Sequence, residues 1–228
     1  MELLKLLKNK KAVIFDLFHT LTSFDQSGRP WSANILGITH EQWTRQLVEK
    51  SPDRLLGRIK DPFIIIESLA HAIDPDIPYD KIKEATENRL QGMREAIVNI
   101  SEENITALQL LKNSGKKLSL ISNADYLEIH SWDESLLASI FDCTIFSCQV
   151  GFVKPQHEIY KLGLHQLNVK ASETVFVGDG GSNELVGARE LGMTTVMMTG
   201  IIKRLWPDLI VKRKDQADYI IESLNELI

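Results

Sequence analysis

Cysteine is scarce in this chain, two residues in 228. No stretch approaches the run of about 18 apolar residues that a membrane-crossing helix needs. Cys143 and Cys148 fall in or beside one expected strand and cannot easily face each other, so they read as reduced packing residues. That excludes a disulfide scaffold and fits a cytoplasmic protein. An excess of basic charge is also missing: 26 Lys and Arg stand against 31 Asp and Glu, a net charge of −5. This argues against a nucleic-acid partner, which calls for a basic face. Repeats, low-complexity tracts and flexible linkers are absent as well. The N-terminal Met-Glu-Leu-Leu-Lys-Leu-Leu-Lys-Asn-Lys lacks the apolar core of a signal peptide and predicts a short packed helix. What remains is an ordinary globular composition, 43% hydrophobic and 25% charged. Its length suffices for one sizeable core, or a core with a smaller insert.

Two short runs stand out, Ala12-Val-Ile-Phe-Asp16 and Thr174-Val-Phe-Val-Gly-Asp179. Each is apolar until an aspartate breaks it, the pattern of a strand buried on both faces of a parallel sheet. Ligands of open parallel sheets bind beyond the carboxyl ends of the strands. Neighbouring strands would bring the two carboxylates to about the 4.8 Å strand spacing, and a cation is the simplest relief of their repulsion.

The intervening pattern predicts helices over 40–50 with Thr39 as N-cap, 62–73 with Asp61 as cap and proline at the first position, and 79–99, bent near Gly92. A turn-rich piece, 23–30, leads into this all-helical stretch. Beyond it come a helix over 102–114 stopped by Gly115, a strand 118–123, a helix 127–140, a strand 144–147, a helix to about 167, a strand 174–177, a helix 184–191 and a strand 194–198. A short strand at 218–221 and a helical turn close the chain. The expected fold is α/β: a Rossmann-like parallel sheet flanked by helices, residues 1–22 and 103–228, carrying an all-helical cap, 23–102.

Asp16, Ser122 with Asn123, Lys154 and Asp179 would then converge at the strand ends. In order and spacing, Phe15-Asp-Leu-Phe-His-Thr-Leu21, Leu120-Ile-Ser-Asn123, Gly151-Phe-Val-Lys-Pro155 and Val177-Gly-Asp-Gly-Gly-Ser-Asn-Glu184 resemble the four motifs of the haloacid dehalogenase superfamily. Ala217-Asp-Tyr-Ile resembles its C-terminal strand. The resemblance implies Asp16 as a nucleophile that forms an aspartyl-phosphate. It implies Mg2+ held by Asp16, the main-chain carbonyl of Phe18, and Asp179. Glu184 would bind the ion directly or through water, with Asn183 as the alternative occupant. Ser122 and Lys154 would hold the phosphoryl oxygens, and Asn123 and His19 would stand at the substrate. Gly180-Gly181 would let the backbone turn tightly over the ion.

One position departs from the family's phosphatases, which place a general acid two residues after the nucleophile; here it is Phe18, followed by His19 in place of the usual glycine. The superfamily's dehalogenases carry an aromatic there and use no metal, yet they lack the acid that opens the fourth motif. The main reading is a Mg-dependent hydrolase, a phosphatase of small phosphorylated metabolites with good leaving groups. The alternatives are a metal-independent 2-haloacid dehalogenase-type hydrolase and a non-catalytic binding protein on the same fold. His19 is either a substitute acid or a packed residue. From the cap, Arg29, Arg58, Lys60 and Arg89 are either contacts for an anionic substrate or solvated charges, and Trp31 and Trp43 read as packing. No membrane partner is expected.

Overall fold

The computed structural model describes residues 2–24, 28–49 and 51–228; residues 25–27 of the expected turn and Lys50, at the expected helix end, lie outside them. Helix α1 (Glu2–Lys8) leads into strand β1 (Ala12–Phe15). A helical stretch follows: α2 (Ser32–Leu36), α3 (His40–Glu49), α4 (Ser51–Leu55), α5 (Pro62–His71) and α6 (Tyr79–Val98). The remainder alternates: α7 (Glu102–Asn113), β2 (Lys117–Ser122), α8 (Leu136–Ile140), β3 (Cys143–Phe146), α9 (Ser147–Val150), α10 (His157–Leu167), β4 (Thr174–Gly178), α11 (Glu184–Glu190), β5 (Thr194–Met198), α12 (Gly200–Leu205), α13 (Asp208–Arg213) and β6 (Tyr219–Ile221).

The six strands form one parallel sheet in the order β3-β2-β1-β4-β5-β6. The chain builds one side of β1 first, through β2 and β3, then crosses to β4 on the other side. This reversal makes the carboxyl ends of β1 and β4 the topological switch point, where open α/β sheets bind ligands. Phe15 pairs with Val177, and the Asp16 N–H donates to the Val177 carbonyl at 2.9 Å. The two aspartates flagged by sequence therefore leave adjacent strands.

Why β1 and β4 are apolar is visible in the layers. Val13 and Phe15 pack with Leu118, Leu120, Val175 and Val177 beneath α7, while Ile14 faces Ile121, Tyr160 and Phe176 on the α10–α11 side. A strand covered on both faces has no solvent side on which to place a polar residue. A third apolar cluster, built around Trp43, Ile65, Ile66, Leu69 and Ile82, belongs to the helices of 32–98 and extends to Leu127 of the sheet unit.

The helix starts are chemically defined. Thr39 Oγ1 accepts from Gln42 N at 3.1 Å while Gln42 Oε1 accepts from Thr39 N at 2.9 Å, a reciprocal cap. Asp61 accepts from the N–H groups of Phe63 and Ile64, with Pro62 opening α5. The expected helix over 127–140 is instead turns, a 3-10 segment at Trp132–Glu134 and the short α8. Asp125 and Glu128 exchange side-chain-to-backbone bonds, and Ser135 caps Leu137, so the backbone is diverted before one helix can propagate. Helices α12 and α13 had no counterpart in the sequence reading. Cys143 is half-buried and Cys148 buried, both free; burial pushes the Cys148 thiol up to about 12. Among the described residues no helix is long and apolar enough to cross a membrane.

Candidate active site

Asp16 follows the last residue of β1, Ser122 ends β2, and Asp179 follows β4; each side chain is buried at the carboxyl edge of the sheet. Lys154 reaches the same point from the loop after α9, and Glu184 from the first turn of α11. They line a cleft of about 280 Å³ together with Phe18, His19, Asn123, Gly181, Ser182 and Arg213.

Lys154 Nζ lies between two carboxylates, bonded to Asp16 Oδ1 and, at 2.5 Å, to Glu184 Oε2. Burial alone would lower its pKa, but the Asp16 and Glu184 charges outweigh that and raise it, so the ammonium stays charged. Burial pushes the Asp16 carboxyl up; Lys154 opposes the shift and Asp179 adds to it. Glu184 is raised well above the carboxylate range by burial and by the Asp16 charge, again against Lys154. The other oxygens are held too. Thr20 Oγ1 donates to Asp16 Oδ2 at 3.0 Å, Gly180 N to Glu184 Oε1 at 3.1 Å, and Gly181 N to Asp179 Oδ1 at 2.9 Å.

Asp16, Asp179 and Glu184 each offer a carboxylate oxygen, and these atoms all lie within 4.8 Å of one another. Three buried hard-oxygen donors, with the Asp16 and Glu184 carboxyls pushed up by burial and by their neighbours' charges, suit a small divalent cation. The main-chain oxygen of Phe18 accepts no hydrogen bond among the described residues. Ser122 Oγ is buried without a hydrogen-bond partner, so a polar group at the cleft has room for an oxygen of a ligand. Asn183, the alternative to Glu184, is exposed in a left-handed turn (φ 54°) and is not among the residues that line the cleft.

Other expectations are redistributed. Asn123 lines the cleft, but its amide is committed to the chain: Oδ1 accepts from Lys154 N at 2.7 Å and Nδ2 donates to the Lys154 carbonyl at 3.0 Å. These two bonds fix the lysine loop. His19 adopts a left-handed φ of 64° and sets its ring edge-on to Trp206, centroids 4.9 Å apart. Burial lowers its pKa, with the Asp179 and Asp16 charges opposing. Gly180 takes φ 82° at the turn after Asp179, where a side chain would be strained.

Arg29, Arg58, Lys60 and Arg89 each have a partner within the protein. Arg29 pairs with Glu95 and Arg58 with Asp53, while Lys60 lies over the Tyr126 ring. Arg89, expected on a solvated face, is buried beside Glu128. Trp43 is buried in the apolar cluster of the helices of 32–98; Trp31 is exposed, edge-on to His40. Two participants escaped the sequence reading. Thr20 sits within the first motif and bonds the nucleophile candidate. Arg213 Nη1 meets Asp179 Oδ2 at 2.5 Å, yet it belongs to a basic run, Lys212-Arg-Lys214, that reads as solvated charge.

Residues 10–192 match the family model of haloacid dehalogenase-like hydrolases. A glyceraldehyde 3-phosphate phosphatase from Methanocaldococcus jannaschii is 36% identical over 140 residues, 60% of this chain and 58% of its own length. The match thus spans under two thirds of that relative. Among solved structures, a haloacid dehalogenase (HAD) phosphatase from Thermococcus onnurineus superposes with TM-score 0.61 at 24% identity, covering 95% of each chain. The L-2-haloacid dehalogenase of Xanthobacter autotrophicus with chloropropionic acid covalently bound gives 0.62 at 16% identity over 96% of each. At these identities the two structures establish the shared fold.

Proposed function

The chain belongs to the haloacid dehalogenase-like hydrolases, and from that premise we propose that it is a Mg2+-dependent phosphatase of small phosphate esters with Asp16 as nucleophile. The observation that supports this most is the trio of buried carboxylates, Asp16, Asp179 and Glu184, with oxygens within 4.8 Å of one another. Lys154 and Arg213 offset the repulsion of these carboxylates in part, and a divalent cation would offset the rest. Asp16, Asp179, Glu184 and the Phe18 carbonyl would hold the ion, which when bound supplies positive charge for the phosphoryl oxygens.

The chain's own groups account for the rest. An Asp16 oxygen forms a bond to phosphorus as the ester P–O bond breaks and its electron pair leaves with the alcohol oxygen. Water then adds to phosphorus, the aspartyl–phosphate bond breaks, and inorganic phosphate and the Asp16 carboxylate result. Thr20 holds Asp16 Oδ2 and Lys154 holds Oδ1, so both oxygens of the carboxylate are fixed at the cleft. Ser122 Oγ donates to a phosphoryl oxygen, and Lys154, oriented by Asn123, neutralises charge between Asp16 and Glu184. Phe18 cannot protonate a leaving oxygen. A positioned acid contributes about 10²–10⁴-fold, so aryl and acyl phosphates are favoured over alkyl phosphates. The archaeal relative's name makes small phosphorylated metabolites the first class to screen. We read residues 23–102 as a cap that shields the cleft from water.

The test is hydrolysis of an aryl phosphate with Mg2+, with a chelator, and by Asp16→Asn. Turnover that needs Mg2+ and is abolished in the variant is the expected result. Phe18 also favours a second reading, a dehalogenase, since a halide leaves without a proton. Chelator-resistant release of halide from 2-haloacids, with no phosphate release, would replace the first reading with the second.

A further inference from the structure

An anionic substrate needs donors that are still available, and the cleft has few. Lys154 is enclosed by Asp16 and Glu184, its side chain 3% exposed. The cap's candidates are paired within the protein, and no residue of 31–102 lines the cleft among the described residues. Arg213 is different. It comes from the end of α13, is 22% exposed, and lines the cleft directly. Its Nη1 alone is engaged, with Asp179 Oδ2 at 2.5 Å and the Asp179 carbonyl at 3.3 Å. Its Nε and Nη2 make no hydrogen bond among the described residues and are not buried. A guanidinium held by one nitrogen presents the rest of its planar fork in a fixed direction, the geometry that matches phosphate oxygens.

We propose that Arg213 is a substrate-binding residue of this site: anchored on Asp179 through Nη1, it donates its free N–H groups to a non-bridging oxygen of the substrate's phosphoryl group. The proposal rests on the phosphatase reading and deepens it. Charge supports it. Three carboxylates in the cleft face two cations, Lys154 and Arg213. A divalent ion brings the balance to +1 with Arg213 present and to 0 without it, and an incoming phosphate dianion favours the former. The unpartnered Ser122 hydroxyl supplies a second, independent donor for the same group.

The experiment is calorimetric titration of inorganic phosphate into Mg2+-loaded wild type, Arg213→Met and Arg213→Lys, after the Mg2+ affinity of each has been measured. Phosphate is expected to bind Arg213→Met at least about tenfold more weakly, the effect of losing one charge-assisted contact. Lysine should restore part of the affinity, because it keeps the charge and loses the fork. Mg2+ should bind the Met variant at least as tightly as wild type, since a positive charge beside Asp179 is removed. In turnover of an aryl phosphate, KM should rise by a similar factor with kcat changing less. Equal phosphate affinity in wild type and Arg213→Met, no phosphate binding by wild type, or a loss that follows weakened Mg2+ binding would each overturn the proposal. Phosphate binding that depends on Arg213 without any turnover would instead sink the phosphatase reading and leave Arg213 as an anion-binding residue. Unfolding midpoints of the variants identify any that fail to fold, and the Lys variant then decides.

Discussion

To act as the proposed nucleophile Asp16 would have to be ionised, and its surroundings make that harder than in water. Burial raises the Asp16 and Glu184 carboxyls, each is raised further by neighbouring carboxylates, and Lys154 opposes both shifts. A raised pKa means that the proton is kept to higher pH, so kcat/KM should fall on the acid side through an apparent value above the ordinary range of about 4. The value belongs to the cluster, not to one residue. A cation prefers the ionised carboxylates, so raising Mg2+ should move this acid limb to lower pH. Profiles of kcat/KM at two Mg2+ concentrations check the sign, and a limb that does not move would place the cation elsewhere. The residue scale also shows which types sequence exposes. The aspartates at strand ends were legible because their context is local. Asn123 was recognised by position, but its two bonds to the Lys154 backbone depend on a residue 31 positions away.

Among the elements, the junction of β4 and α11 places two of the three carboxylates. Gly178, last in β4, passes so close to Glu184 that a Cβ there would lie 2.1 Å from Glu184 Oε1. Glu184 cannot simply swing away, since Gly180 N and Lys154 Nζ hold its two oxygens and Tyr160 Oη donates to its carbonyl at 2.8 Å. The Gly178→Ala variant should therefore fold and bind Mg2+ about 10–100-fold more weakly, in line with losing an outer partner of a metal ligand. Calorimetry with Mg2+ measures this, and unchanged affinity would show that Glu184 is no ligand. The same scale explains the misread stretch after β2. Apolar spacing over 127–140 matches a helix, but the exchanged bonds of Asp125 and Glu128 fix a turn that spacing does not reveal.

For the whole molecule, the decisive contact joins the helices of 32–98 to the sheet. Arg54 of α4 meets Asp125 at 2.8 Å and Glu128 at 3.6 Å, and Arg89 of α6 approaches Glu128 at 3.6 Å, all four side chains nearly buried. Beside them Gly57 (φ 70°) lets α4 approach α9 so closely that a Cβ would lie 1.9 Å from the Cys148 carbonyl oxygen. Removing one partner of a buried pair leaves charge without compensation, at a cost of about 3–5 kcal/mol. Arg54→Met should lower stability by that order in denaturant unfolding. Adding Asp125→Asn should recover part of it, a coupling that a double-mutant cycle resolves; a change under about 0.5 kcal/mol would mean the cluster does not hold the helices of 32–98 to the sheet. By itself the sequence determined the parallel α/β sheet, the helical stretch, and the four strand-end groups that converge. Each of those follows from short-range rules: double-sided burial makes a strand uniformly apolar, and a capping side chain acts within three residues. Only the tertiary structure decided that Arg213 meets Asp179 and that Arg54 and Arg89 turn inward. The partner of a long charged side chain is whatever packing brings within reach, and nothing among its chain neighbours records that choice.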